Sequence, residues 1–423
     1  MLDVLVSAPA PSVRWSPATR IAFRFCVLYF GLYVLTTQMI TGMLVVPKWD
    51  FQPPEELPPM KNMVSWIAAH VFHVAHPLVI TGSGSGDKTF NWVAAFFLLV
   101  VAAAGTIVWS VLDRRRLAYP ALDKWFRIFM RFAVGTTMLT YAMFKVFPLQ
   151  MSFPNLTRLL EPYGNFSPMG VLWASIGASP GYERFAGSME LLAAVLLFVP
   201  RLSLLGAMVA FADSVQIFAL NMTYDVPVKL FSLHLILMSL FLLAPDMRHL
   251  IAALVRRVPA GRVLVAAQIV LGIYFVGMNM YSDWHDWRSS AGVATKPALY
   301  GVWNVDRMYV DGIERSPLIT DWGRWRRVLV QTSTALTFQR MDDTFAGFPG
   351  KYDMAAQTIA LTRPSDKTWK ASFTFQRPDN DHMTLDGKMD GHQVKLQLTL
   401  VDRNKFLLVS RGFNWIQEFP FNR

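Results

Sequence analysis

The residues with the most chemical potential are ionisable side chains set in long apolar runs. Glu190 lies in GSMELLAAVLLF, seven residues after Glu183, so a helix would carry both on one face with Glu190 deeper. Lys145 closes an apolar run that opens at Arg131, 14 residues earlier. That spacing sets the two cations on nearly one face, about 21 Å apart along a helix axis. Asp213 and Gln216 stand on adjacent turns of another run, and His234 falls a little more than one turn beyond Lys229 in YDVPVKLFSLHL. A charge in hydrocarbon costs about 3 kcal/mol even on permissive scales. Glu190 therefore needs a proton or a cation, with Arg131 and Lys145 as candidates. Proton transfer and hydrogen bonding are the chemistry such a set can do, with Glu190, Lys145 and His234 as candidate catalytic residues. Arg131, Glu183, Asp213, Asp225 and Lys229 are candidate ligand contacts. Each has a plainer account as well. Arg131 and Lys145 can snorkel to opposite interfaces. His234 can be a satisfied core imidazole. Asp225 and Lys229, four apart, can form an ion pair that anchors a helix start.

His70, His73 and His76 give H-x-x-H-x-x-H, read as part of an interfacial helix. Steps of three spread over about 120° of a helix, so two of the imidazoles can share an ion more easily than all three. GSGSGDK at 82–88 lacks the spacing of a phosphate loop and reads as a flexible or tight turn. Cys26 is the only cysteine, which excludes an intrachain disulfide, a thiolate metal cluster and a CxxC redox pair. No nucleotide, haem or iron-sulfur motif is present.

The elements that position these groups follow from composition. Of 423 residues, 53% are hydrophobic and only 16% charged, which points to lipid as the main solvent. Spans are expected at 22–46, 92–112, 132–147, 185–199, 204–220, 228–244 and 263–280, giving a membrane domain over 1–282. The formal charge of +11 suggests nucleic acid at first sight. Its basic residues cluster at span ends, as in DRRRLAYPALDKWFRIFMR, which is the pattern that orients helices in a bilayer. No nucleic acid partner is expected. The positive loops place the N-terminus in the cytoplasm of a multi-pass inner (plasma) membrane protein, and seven crossings put the C-terminal domain in the periplasm or outside the cell. The first span reads as uncleaved.

After a linker at 283–297 the pattern changes to short alternating runs such as WKASFTF and VKLQLTL, which are strands with one buried face. Turns are expected at Asp311-Gly312, Arg363-Pro364, Arg377-Pro378, Asp386-Gly387 and Asp390-Gly391. About eight strands over 298–423 imply an all-β barrel or sandwich, either solid or holding one ligand. Gly301-Val302-Trp303 with the late Arg411 resembles the lipocalin signature, in which an arginine covers a tryptophan near the closed end.

The stretch 131–246, with Lys145, GSMELL and the terminal APD at 244–246, resembles the DoxX family of small four-helix membrane proteins. More of the chain resembles a bacterial DoxX-annotated group with extra helices and a C-terminal extension, through GSGDKTFNWV, WSVLDRRR, LLEPYGNFSPMGVLW, YDVPVKLFSLHL and GFNWIQEFPFNR. The resemblance implies a quinone cofactor and membrane oxidoreductase chemistry, with electrons from a substrate or a periplasmic partner protein. This chain is larger than that pattern, with added helices and an outer domain. Two other functions fit the residues. One is non-catalytic binding or transport of a lipid or other apolar molecule, with the β-domain as receiver. The other is a membrane carboxylase resembling the vitamin K-dependent type, on architecture alone.

Overall fold

The computed structural model describes residues 14–44, 51–254, 262–289 and 296–423. Its helices are α1 (Pro17–Thr36), α2 (Gln38–Met43), α3 (Met60–His70), α4 (Thr89–Leu112), α5 (Pro120–Val146), α6 (Leu156–Leu160), α7 (Pro168–Gly177), α8 (Pro180–Phe198), α9 (Ser203–Thr223), α10 (Lys229–Leu243), α11 (Met247–Leu254), α12 (Arg262–Ser289) and α13 (Leu407–Ser410). Two compact units divide the chain: Met1–Arg256 with Phe406–Arg423, and Arg257–Lys405. The last 18 residues thus return to the helical unit, although the sequence groups them with the strands.

Within the helical unit, α5 packs on α8, α8 on α9, α9 on α10 and α10 on α5, while α1 lies against α4. Met130, Val134, Met138, Leu197 and Met238 fill the shared core, joined by Tyr33 and Val34 of α1. Close approach of α5 and α8 depends on Gly187, where an added Cβ would lie 2.7 Å from the Lys145 Cβ and 2.9 Å from the Ala142 carbonyl oxygen. A Gly187→Leu variant is therefore expected to lose about 1–3 kcal/mol by overpacking, read as a lower thermal midpoint, with Gly187→Ala between it and the parent.

Every expected span corresponds to a helix, but with different ends and apolarity. α1, α4, α9 and residues Val263–His285 of α12 are long and apolar enough to cross a membrane. The other three fall short for stated reasons. α5 and α8 carry the charges at Arg131, Lys145, Glu183 and Glu190, and α10 has 15 residues, about 22 Å of rise. The first expected span is broken after Thr36, because Thr36 and Thr37 hydroxyls donate back to Leu32 and Tyr33 carbonyls and Thr37 turns extended. α12 runs on to Ser289, through much of the expected linker, whose residues 290–295 lie outside the described ones, as do Arg256 and Arg257.

The second unit carries an antiparallel barrel: β1 (Gly301–Val310), β2 (Ile313–Glu314), β3 (Trp325–Thr332), β4 (Ala335–Arg340), β5 (Phe345–Asp353), β6 (Thr358–Arg363), β7 (Asp366–Gln376), β8 (His382–Met389) and β9 (His392–Leu400). β1 pairs with both β3 and β9, so eight strands close the sheet and β2 is a short hairpin arm. Eight strands leave an interior that side chains can fill, and Trp303, Val328, Phe338, Phe373, Leu385 and Leu396 do so. Asp311-Gly312 and Asp390-Gly391 hold the positive φ that tight hairpins require. The turn expected at Asp386-Gly387 is instead strand. Gly387 pairs with Phe373, and a Cβ there would strike the Ser372 carbonyl oxygen.

Candidate functional site

A cavity of about 110 Å³ lies between α5, α7, α8, α9 and α10. Tyr141 and Lys145 enter it from α5, Glu190 from α8 and Asp213 from α9; Trp173 of α7 and Gln150 lie at its edge. Lys145 Nζ donates to Glu190 Oε1. Both side chains are buried, at 8% and 2% exposure. Glu190 Oε2 and Asp213 Oδ2 are buried without a hydrogen-bond partner, as are Glu183 Oε2 and Gln150 Oε1 beside the cavity. Lys145 pairs with Glu190, Asp213 has no ion pair among the described residues, and the residues lining this mostly apolar cavity thus carry spare acceptors. A ligand that donates hydrogen bonds, or carries a positive charge, would satisfy them.

Glu183 has a different task. Its Oε1 accepts the Met151 backbone N–H at 2.9 Å, pinning the loop before α6 over the cavity, and Trp173 Nε1 donates to the Gln150 carbonyl at 3.1 Å. His234 lies away from the cavity. Its Nδ1–H donates to the Leu230 carbonyl at 2.7 Å, its Nε2 accepts from the Tyr29 hydroxyl at 2.8 Å, and its ring stacks on Tyr33 at 3.8 Å. Both ring nitrogens are satisfied, so its grouping with Glu190 and Lys145 is not realised. Arg131 is half-buried near the middle of α5, its Nε without a partner among the described residues.

Asp225, Lys229 and Arg411 belong to a second buried cluster that sequence spacing reveals only in part. Lys229 Nζ lies 3.2 Å from Asp225 and 3.6 Å from Asp87, and Arg411 lies 3.1 Å from Asp225. Asp87, from the glycine-serine loop, accepts the Lys229 and Leu230 backbone N–H groups at 2.9 Å and so caps α10 from another part of the chain. Asp225 also accepts from Asn414 and Gln417. Glu418 accepts from Thr89 at the start of α4, and Ser167 donates to the Phe421 carbonyl. Two carboxylates meet two cations with their oxygens occupied, which describes a structural lock that seats the C-terminal segment rather than a site with spare capacity.

Arg411 therefore does not cover Trp303. Arg377 does, with its guanidinium carbon 5.5 Å from the ring centre, while Trp303 Nε1 donates to the Leu299 carbonyl. α3 ends at His70, which stacks on Trp66; His73 and His76 follow in irregular chain, His73 with positive φ. Among the described residues no three His, Cys, Asp or Glu side chains are grouped to hold a metal ion.

A more polar cavity of about 250 Å³ shares Tyr141, Val228 and Phe231 with the first. Glu55 and Lys88 line it. Burial pushes the Glu55 carboxyl from an ordinary 4.5 up to about 7; Lys88 pulls it down and Glu56 adds to the rise. Its proton favours the folded state, so this contribution is complete below pH 4.5 and lost as pH rises through 7. At about 1.4 kcal/mol per unit the loss is about 3 kcal/mol. Thermal midpoints measured at pH 5 and pH 8 are expected to differ less in Glu55→Gln than in the parent.

The residues that spacing alone does not flag are Tyr141, Trp173, Gln150 and Asp87. Tyr141 precedes Lys145 by four and shares its face, a signal that was available. The other three lie in loops or a neighbouring helix, where no local pattern predicts what they approach.

No described protein family and no solved structure matches the chain. It is similar to an uncharacterized protein, YwoB, of Bacillus subtilis (strain 168), with 33% identity over 134 residues, 32% of this chain and 82% of YwoB. With that identity over most of the relative's length, the chain belongs to the same family as YwoB.

Proposed function

We propose that the helical unit is a membrane domain that binds a quinol at the Glu190, Lys145 and Asp213 cavity and takes up its hydroxyl protons. The observation that carries this reading is the pair of unpartnered buried acceptors, Glu190 Oε2 and Asp213 Oδ2, on two residues that line a largely apolar cavity. The reduced ring has two O–H donors to offer them, whereas the oxidised ring has acceptors only. Lys145 holds Glu190 in place, and the shared Tyr141 and Phe231 wall links the site to the polar cavity at Glu55, from which protons can leave to water. Oxidation of one quinol gives two protons, taken by the two carboxylates, and two electrons, passed to a redox-active partner protein, the reverse of the direction that the family resemblance implies.

The membrane setting is supported by α1, α4 and α9, each long and apolar enough to cross a bilayer, and by α12 of the second unit, where no residue of the apolar stretch Val263–His285 is buried against protein. A helix that is apolar on all sides suits lipid. In this reading α5, α8 and α10 cross as well, their charges turned into the bundle, with the N-terminus cytoplasmic and the barrel on the outer side of the plasma membrane.

The test is mass spectrometry of small molecules co-purifying in native lipid patches, comparing the parent with Glu190→Gln. A stoichiometric quinone, depleted about tenfold or more in the variant, is expected. Equal quinone in both samples, or none in the parent, would remove the assignment.

A further inference from the structure

The barrel has a second opening that the packed Trp303 end lacks. At the end where β1, β4, β6 and β8 finish, a cavity of about 530 Å³ reaches down to Met308, Trp325, Phe348 and Trp369. This is within the range of small-molecule sites, about 300–1,000 Å³. Its floor is aromatic, with Phe348 and Trp369 stacked at 4.7 Å. Its rim is mixed, with Arg315, Arg340, Arg363 and His392 set beside Asp311 and Asp390, so the arginines outnumber the carboxylates. Arg315 is tied to Asp321 at 2.9 Å, and His392 to Asp311 at 2.7 Å. Arg340 and Arg363, the last residues of β4 and β6, make no ion pair among the described residues. Each instead lies over an indole, Arg340 at 5.0 Å from Trp322 and Arg363 at 4.9 Å from Trp369. The nearby carboxylates are turned to their own loops, Asp342 accepting from Thr344 and Asp366 from Thr368.

Two guanidinium groups in no close ion pair among the described residues, with Asp342 and Asp366 in electrostatic reach but bonded to Thr344 and Thr368, stand above an aromatic well and favour a molecule with an anionic head and an apolar body. We propose that the barrel mouth binds a single anionic amphiphile, its acid group between Arg340 and Arg363 and its hydrocarbon on Trp325, Phe348 and Trp369. This site lies wholly within the second unit and is independent of the quinol reading.

The full chain in nanodiscs of neutral phosphatidylcholine, titrated with radiolabelled dodecanoate and with dodecanol, tests it after subtraction of empty discs. Dodecanoate is expected to bind about tenfold or more tightly than the alcohol. An Arg340→Gln/Arg363→Gln variant is expected to bind the acid no better than the alcohol, with alcohol binding unchanged, and Glu190→Gln to leave both unchanged. Equal affinity of acid and alcohol for the parent overturns the proposal, and needs no variant to fold. Undiminished acid binding in the folded double variant overturns it too. Adding phosphatidylglycerol to the discs identifies the source: displacement of dodecanoate indicates a bilayer lipid, and its persistence a free amphiphile.

Discussion

A Lys145→Met variant is expected to destabilise the helical unit by about 3–5 kcal/mol, the usual cost of stranding a buried partner charge. Lys145 is the cation paired with the buried Glu190, so its loss leaves that carboxylate without a counter-charge. At about 2–4 °C per kcal/mol for a unit of this size, the thermal midpoint should fall on the order of 10 °C. Adding Glu190→Leu should recover most of the loss, because an apolar pair of similar volume replaces a buried ion pair at little cost. Ligand binding should be absent in both. An unchanged midpoint in the single variant would mean that Lys145 reaches water, as in the snorkelling account, and that Glu190 carries a proton instead.

Asp225→Ala is the second large effect. It would leave Lys229 and Arg411 without this carboxylate, only Asp87 remaining beside Lys229, and would remove the acceptor for Asn414 and one of the two for Gln417, which keeps the Asp225 backbone carbonyl. Stranded cations cost about 3–5 kcal/mol, and each unmet buried donor about 1–3 kcal/mol. The lock should open before the bundle does. Trypsin cleavage after Arg411, whose side chain is 21% exposed in the folded chain, should accelerate tenfold or more, while a Lys395→Met change on the barrel surface should not affect it. An unchanged cleavage rate would show that the C-terminal segment is held by its other contacts, at Thr89 and Ser167.

The two clusters look alike in sequence, since each mixes carboxylates with cations in apolar surroundings. Three-dimensional bookkeeping of hydrogen bonds separates them. Both Asp225 carboxylate oxygens are occupied by donors from α10 and the C-terminal segment, whereas Glu190 Oε2 and Asp213 Oδ2 have none. His234 illustrates the same distinction. Its depth in an apolar helix was legible, but its partner Tyr29 is 205 residues away.

What the sequence by itself determined is set by local periodicity and composition. Long apolar runs had to become helices, WKASFTF and VKLQLTL had to become half-buried strands, and the Asp-Gly pairs at 311 and 390 had to turn. Glu190 and Lys145 were recognisable because a charge in an apolar run is costly wherever the run packs. The tertiary structure alone decided which charges meet, because pairing depends on helix rotation and close approach, as at Gly187. It also decided that Asp87 caps α10, that residues 406–423 return to the helical unit, and that Arg377 rather than Arg411 covers Trp303. Each of these joins residues far apart in the chain, where no spacing rule reaches and only the geometry of packing selects the partner.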